Sequence, residues 1–136
     1  MRFPELEPFK QRLPKLTAEI SRAEEFVSEV FARPGKADEV VHDIRPVQLA
    51  NRLSVDEPLA LVLLKCFDDA GIVTPRYDVI CPNTGLVIES YSSKADLPQA
   101  VSCPFEIKTQ HTFTEYYVEL VFQFTSTFVK KHRLPV

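Results

Sequence analysis

Glycine is scarce in this chain, with three residues in 136. That excludes a glycine-rich phosphate loop, which needs several glycines to bring backbone N–H groups against an anion. Basic charge is not in excess either. The net charge of −3 and pI near 5.6 provide no general attraction for nucleic acid or anionic lipid, both of which require a basic surface. Cysteine is limited to three residues; an odd count fits free thiols or metal ligands in a reducing compartment better than a disulfide framework. No apolar run approaches the roughly 18 residues of a membrane span, and MRFPELEPFKQ carries acids and prolines where a signal peptide needs an apolar core. A cytoplasmic protein without membrane association is the expectation. His42, His111 and His132 show none of the helical spacing of a metalloprotease. Cys103 and His111 are candidates for a Cys-His pair, but no orienting third group or oxyanion site accompanies them. A non-catalytic role is therefore expected.

What is present is ordinary globular composition, 45% hydrophobic and 26% charged, enough for one domain or two very small ones sharing a core. Pro4, Pro8 and Pro14 alternate with Phe3, Leu6, Phe9 and Leu13, which reads as an extended or turn-like arm over 1–15. Apolar residues then recur at three- and four-residue steps from Leu16 to Phe31, predicting a first helix that Pro34-Gly35 terminates. Arg45-Pro46 opens a second helix up to Ser54. Asp56, Glu57 and Pro58 fit the start of a third, LALVLLKCFDDAG, that stops at Gly71 and holds Cys66 as a core residue. Beyond it the pattern alternates. RYDVI and LVIESY flank CPNTG as a hairpin, AVSC is a further short strand, and Tyr116 to Phe124 is a long one. The closing KKHR at 130–133 reads as a solvated basic tail.

This order of elements, and the run PVQLANRLSVDEPLALVLLKCFDDAGIV at 46–73, resembles a winged helix with its helix-turn-helix core. The stretch CPNTGLVIESYSSKADLPQAVSCPFE at 81–106 is similar to a zinc ribbon, in which four cysteines on two knuckles hold one zinc. Here Cys81 and Cys103 match the first ligand of each knuckle, whereas Thr84 and Glu106 stand at the second. The resemblance thus implies an α+β fold: an N-terminal three-helix winged helix and a C-terminal small antiparallel sheet, a degenerate zinc ribbon. The corresponding division is an arm at 1–15, a helix-turn-helix core at 16–75, a wing with the ribbon-like sheet at 76–128, and a tail at 129–136. Loss of two thiolates removes most of a zinc-binding free energy of order 10 kcal/mol, so the expected cofactor is none, with packing in place of metal. A site of Cys81, Cys103, Glu106 and His111 is one alternative. A Cys81 to Cys103 disulfide is the other.

A winged helix implies DNA binding through its third helix, with Arg45, Arg52, Arg76 and Lys94 as the candidate contacts. Against this, that helix carries Asp56, Glu57, Asp68 and Asp69 against Lys65 alone, and acids at its N-terminus repel phosphate. Six consecutive apolar residues, 59–64, go all the way around a helix. With Leu59, Val62 and Cys66 taken as the inner stripe, Leu61 and Leu64 face outward, where either the chain's own ribbon folds back over them or, flanked by Asp56, Glu57 and Lys65, they form an interaction surface. The sequence reads as an adaptor binding another protein subunit or a second copy of itself. The resemblance implies an accessory component of a larger bacterial-type assembly, such as a defence system; the alternative is a DNA-binding regulator.

Overall fold

Three prolines set the course of the N-terminal segment in the computed structural model, which describes residues 2–36, 39–107 and 109–132. Pro4 starts a 3-10 turn over Pro4–Leu6, Pro8 lies in the first turn of α1 (Glu7–Arg12), and Pro14 starts a second 3-10 turn over Pro14–Leu16. The segment is therefore built of turns and one short helix, and is not extended. A proline lacks an N–H where the first helical turn leaves its N–H groups unbonded anyway, so it begins helices as readily as it breaks them. The segment packs as expected: Phe3 and Leu6 are completely buried, and the Phe3 amide donates to Glu24 Oε2 at 2.8 Å.

The three longer helices follow the sequence periodicity. In α2 (Thr17–Phe31), Ile20, Ala23, Phe26, Val27 and Val30 are buried. Both α3 (Pro46–Leu53) and α4 (Glu57–Asp69) pack against it and against each other. Asp56 caps α4 by accepting the Leu59 N–H at 3.0 Å, and Gly71, at φ +79°, takes the left-handed conformation that ends the run. Between α2 and α3, Ile44 exchanges two 2.8 Å backbone hydrogen bonds with Phe122.

Five strands follow: β1 (Val73–Ile80), β2 (Val87–Tyr91), β3 (Ala100–Ser102), β4 (Gln110–Thr112) and β5 (Tyr117–Phe124). They form a three-stranded sheet of order β2-β1-β5 and a two-stranded β3-β4 sheet. The β1/β2 and β3/β4 pairs are antiparallel. The architecture is α+β, helices first and antiparallel sheets after. A last helix, α5 (Ser126–His132), replaces the expected solvated tail, while Arg133 lies outside the described residues. Phe128 anchors it, with ring centroids 5.1 Å from Phe3 and 5.2 Å from Phe31. On β5, Val121 is as buried as Phe122 and Phe124, while Tyr117 is exposed and Glu119 and Gln123 are half-buried.

The chain divides into two units, residues 1–74 with 122–136 and residues 75–121. The first holds the helices, with the arm and the C-terminal helix inside its core. The second is the β-rich segment. Its boundaries fall within β1 and β5. Among the described residues no helix is long and apolar enough to cross a membrane.

Candidate metal centre

Two turns bring the ligand-type residues of the second unit together. The β1/β2 register runs Tyr77↔Tyr91, Asp78↔Ser90, Val79↔Glu89 and then, past a bulge, Ile80↔Val87. Cys81 is thereby placed at the start of the connecting turn. The turn is closed by Cys81 N–H to Leu86 O and Gly85 N–H to Cys81 O, both 2.9 Å. Gly85 sits at φ +73°, a conformation that costs a side-chain-bearing residue about 1 kcal/mol or more. The second turn follows β3, where Cys103 N–H donates to Thr109 O at 2.9 Å. Its β3/β4 register pairs Val101 with His111, so the histidine arrives from the strand after the turn. Asn83 Nδ2 on the first loop donates to both Glu106 oxygens on the second, at 3.0 and 3.3 Å, and joins the loops.

The result is a cluster of Cys81, Cys103, Glu106 and His111 whose ligand atoms all lie within 4.8 Å of one another. Cys81 Sγ is 3.7 Å from Cys103 Sγ, 3.7 Å from His111 Nε2 and 3.2 Å from Glu106 Oε1. His111 Nε2 is 3.5 Å from Glu106 Oε1. Both cysteines and the histidine are buried, and the Glu106 side chain is the most exposed of the four, at 27%. All three cysteines of the chain are free.

Cys81 and Glu106 are both shifted toward easier ionisation. Burial opposes ionisation of Cys81, but the Thr84 hydroxyl and the Thr84 and Asn83 amides outweigh it and hold the thiol below its ordinary range. Thr84 thus lies outside the four-residue cluster and acts on the Cys81 thiol. The Asn83 amide, followed by the Cys81 thiol, keeps the Glu106 carboxyl low. Cys103 is pushed up, chiefly by burial.

The other candidate residues are placed differently. Leu64 is completely buried and Leu61 half-buried. The buried residues of α4 are Ala60, Leu63, Leu64, Cys66 and Phe67, so Cys66 is core as expected, while Val62, 48% exposed, lies on the outside. Leu64 therefore cannot serve as an exposed docking residue, because the six-residue apolar run concealed the helix phase. Lys65 pairs with Asp69 at 3.0 Å and Asp68 at 3.4 Å. Asp56 is committed to its cap, and Glu57 is exposed beside it. Of the bases proposed to meet DNA, Arg52 pairs with Glu29 at 2.7 Å and Arg76 donates twice to Asp78, at 2.8 and 2.9 Å. Arg45 is half-buried at the head of α3 and Lys94 is exposed. Arg45 and Arg52 belong to the first unit, Arg76 and Lys94 to the second.

The sequence did not single out Asn83, nor the exposed Phe105, Ile107 and Phe113. Asn83 is an ordinary turn residue, and the signal of the other three was faint: apolar residues within or beside turns, where polar ones are the norm. Compared with known proteins, the chain matches no family model, no curated protein and no solved structure.

Proposed function

We propose that this chain is a non-catalytic protein-interaction module, a cytoplasmic accessory subunit that docks on another protein or on a second copy of itself. Its helical unit is read as winged-helix-like and its β-rich unit as ribbon-like. The first reading is supported by the order α2, Ile44 bridge, α3, α4 and β1/β2 hairpin, the second by paired turns that each begin at a Cys-Pro.

One observation carries the interaction reading. The two joined loops that hold the cysteines present apolar side chains to solvent: Leu86 at 51% and Val87 at 45% exposure on one, Phe105 at 42% and Ile107 at 93% on the other. An isoleucine so exposed contributes almost nothing to its own core. Covered by a partner, each such side chain is worth roughly 1.5–3 kcal/mol, and a few clustered apolar anchors decide whether a complex forms. This moves the docking surface from α4, where Leu64 is core, to the second unit.

The test is the double variant Leu86→Glu with Ile107→Glu, compared with wild type by quantitative copurification from the source cells and by sedimentation velocity. A partner or dimer held by the wild type and lost by an equally stable variant is expected. A wild type that stays monomeric and unaccompanied overturns the reading. Tight binding of random duplex DNA at physiological salt, abolished by substitutions in α4, would replace it with the regulator.

A further inference from the structure

Four of the six separations among the clustered ligand atoms lie close to the edges of one coordination tetrahedron, and all six are within 4.8 Å. Zinc bonds of about 2.3 Å to sulfur, 2.0–2.1 Å to nitrogen and 2.0–2.2 Å to oxygen, at tetrahedral angles, put S···S near 3.8 Å, S···N near 3.6 Å, S···O near 3.5 Å and N···O near 3.4 Å. The corresponding distances here are 3.7, 3.7, 3.2 and 3.5 Å. Four independent edges agree to within about 0.3 Å. Ordinary side-chain packing does not require four donors from two loops and a strand to converge on one point.

From this geometry we propose that Cys81, Cys103, Glu106 and His111 bind one zinc ion, contrary to the expectation of a ribbon that has lost its metal. Two thiolates exclude the hard cations calcium and magnesium, and a tetrahedral sulfur, nitrogen and oxygen set suits zinc. Binding replaces the two thiol protons, which leave to solvent, by two Zn–S bonds. His111 bonds through Nε2 and keeps its proton on Nδ1. Four protein ligands close the coordination sphere, so the ion is structural and leaves no open position for catalysis. Asn83 belongs to the outer sphere, aiming the Glu106 carboxylate through its side-chain amide. Two cysteines suffice because the strand after the second turn returns His111 to the site, a donor absent from the Cys-Pro repeats themselves.

The experiment uses the full chain purified with zinc and without chelator. Elemental analysis should give one zinc per chain. Cobalt substitution should give the intense visible bands of tetrahedral cobalt with thiolate charge transfer. Competition against a chromophoric chelator should show Glu106→Gln and His111→Ala weakened by more than the roughly 10–100-fold typical of losing an outer-sphere partner, with Asn83→Ala weakened within that range. Glu89→Gln, a change on exposed β2, should bind as wild type. Because a ligand variant could fail to fold, the wild-type metal content and cobalt spectrum decide independently. Substoichiometric zinc with no charge-transfer band, or a Cys81 to Cys103 disulfide formed in the presence of zinc, would overturn the site. Undiminished binding by a folded Glu106→Gln protein would overturn its ligand set.

Discussion

Glu5 and His132 stand at opposite ends of the sequence, yet His132 Nε2 lies 2.7 Å from Glu5 Oε2. Burial alone would raise the Glu5 carboxyl, but its own backbone amide, His132 and Lys131 together hold it below the ordinary value of 4.5. A carboxyl depressed in the folded state stabilises the fold above its unfolded pKa, and that contribution is lost as pH falls through the folded pKa. Thermal melts of wild type and Glu5→Gln should therefore differ near neutral pH, and the gap should close below 4.5. A gap that persists in strong acid would mean that packing, not ionisation, makes Glu5 matter. Nothing in the sequence marked this residue: a glutamate among prolines and a histidine in a basic run carry no pairing signal, and only the fold brings them together.

The phase of a single helix settles which face of α4 is available. Its boundaries were legible from Asp56, Pro58 and Gly71, since a cap, a first-turn proline and a left-handed glycine act locally. Its phase was not, because six apolar residues in succession satisfy every face alike. In the structure the buried residues are Ala60, Leu63, Leu64, Cys66 and Phe67. Leu64→Glu should therefore destabilise by roughly 3–5 kcal/mol, the cost of an uncompensated buried charge. Val62→Glu, on the outer face, should stay within about 0.5 kcal/mol. Urea unfolding of the two variants distinguishes them, and equal stabilities would mean that the phase is wrong.

At the scale of the whole molecule, the helical unit has an apolar core of its own, including Ile20, Leu49, Leu63 and Phe67, all completely buried. The β-rich unit has fewer large buried side chains and two short sheets, and small units of this kind commonly depend on a metal. Removing zinc with a chelator should therefore abolish amide hydrogen-exchange protection in β3, β4 and the two Cys-Pro turns, while α2, α3 and α4 keep theirs. Uniform loss, or none, would separate metal binding from folding of that unit. By itself the sequence determined the three long helices, the hairpin about CPNTG and the α+β class, because periodicity, caps and turn residues act over a few positions. It also contained all four candidate ligands, which spacing could collect but not arrange. Only the tertiary structure decided that they converge, that Leu64 is core, that α5 closes the aromatic cluster, and that Phe105 and Ile107 face water. Each of these depends on contacts between residues distant in the chain, fixed by strand register and helix phase rather than by any local preference.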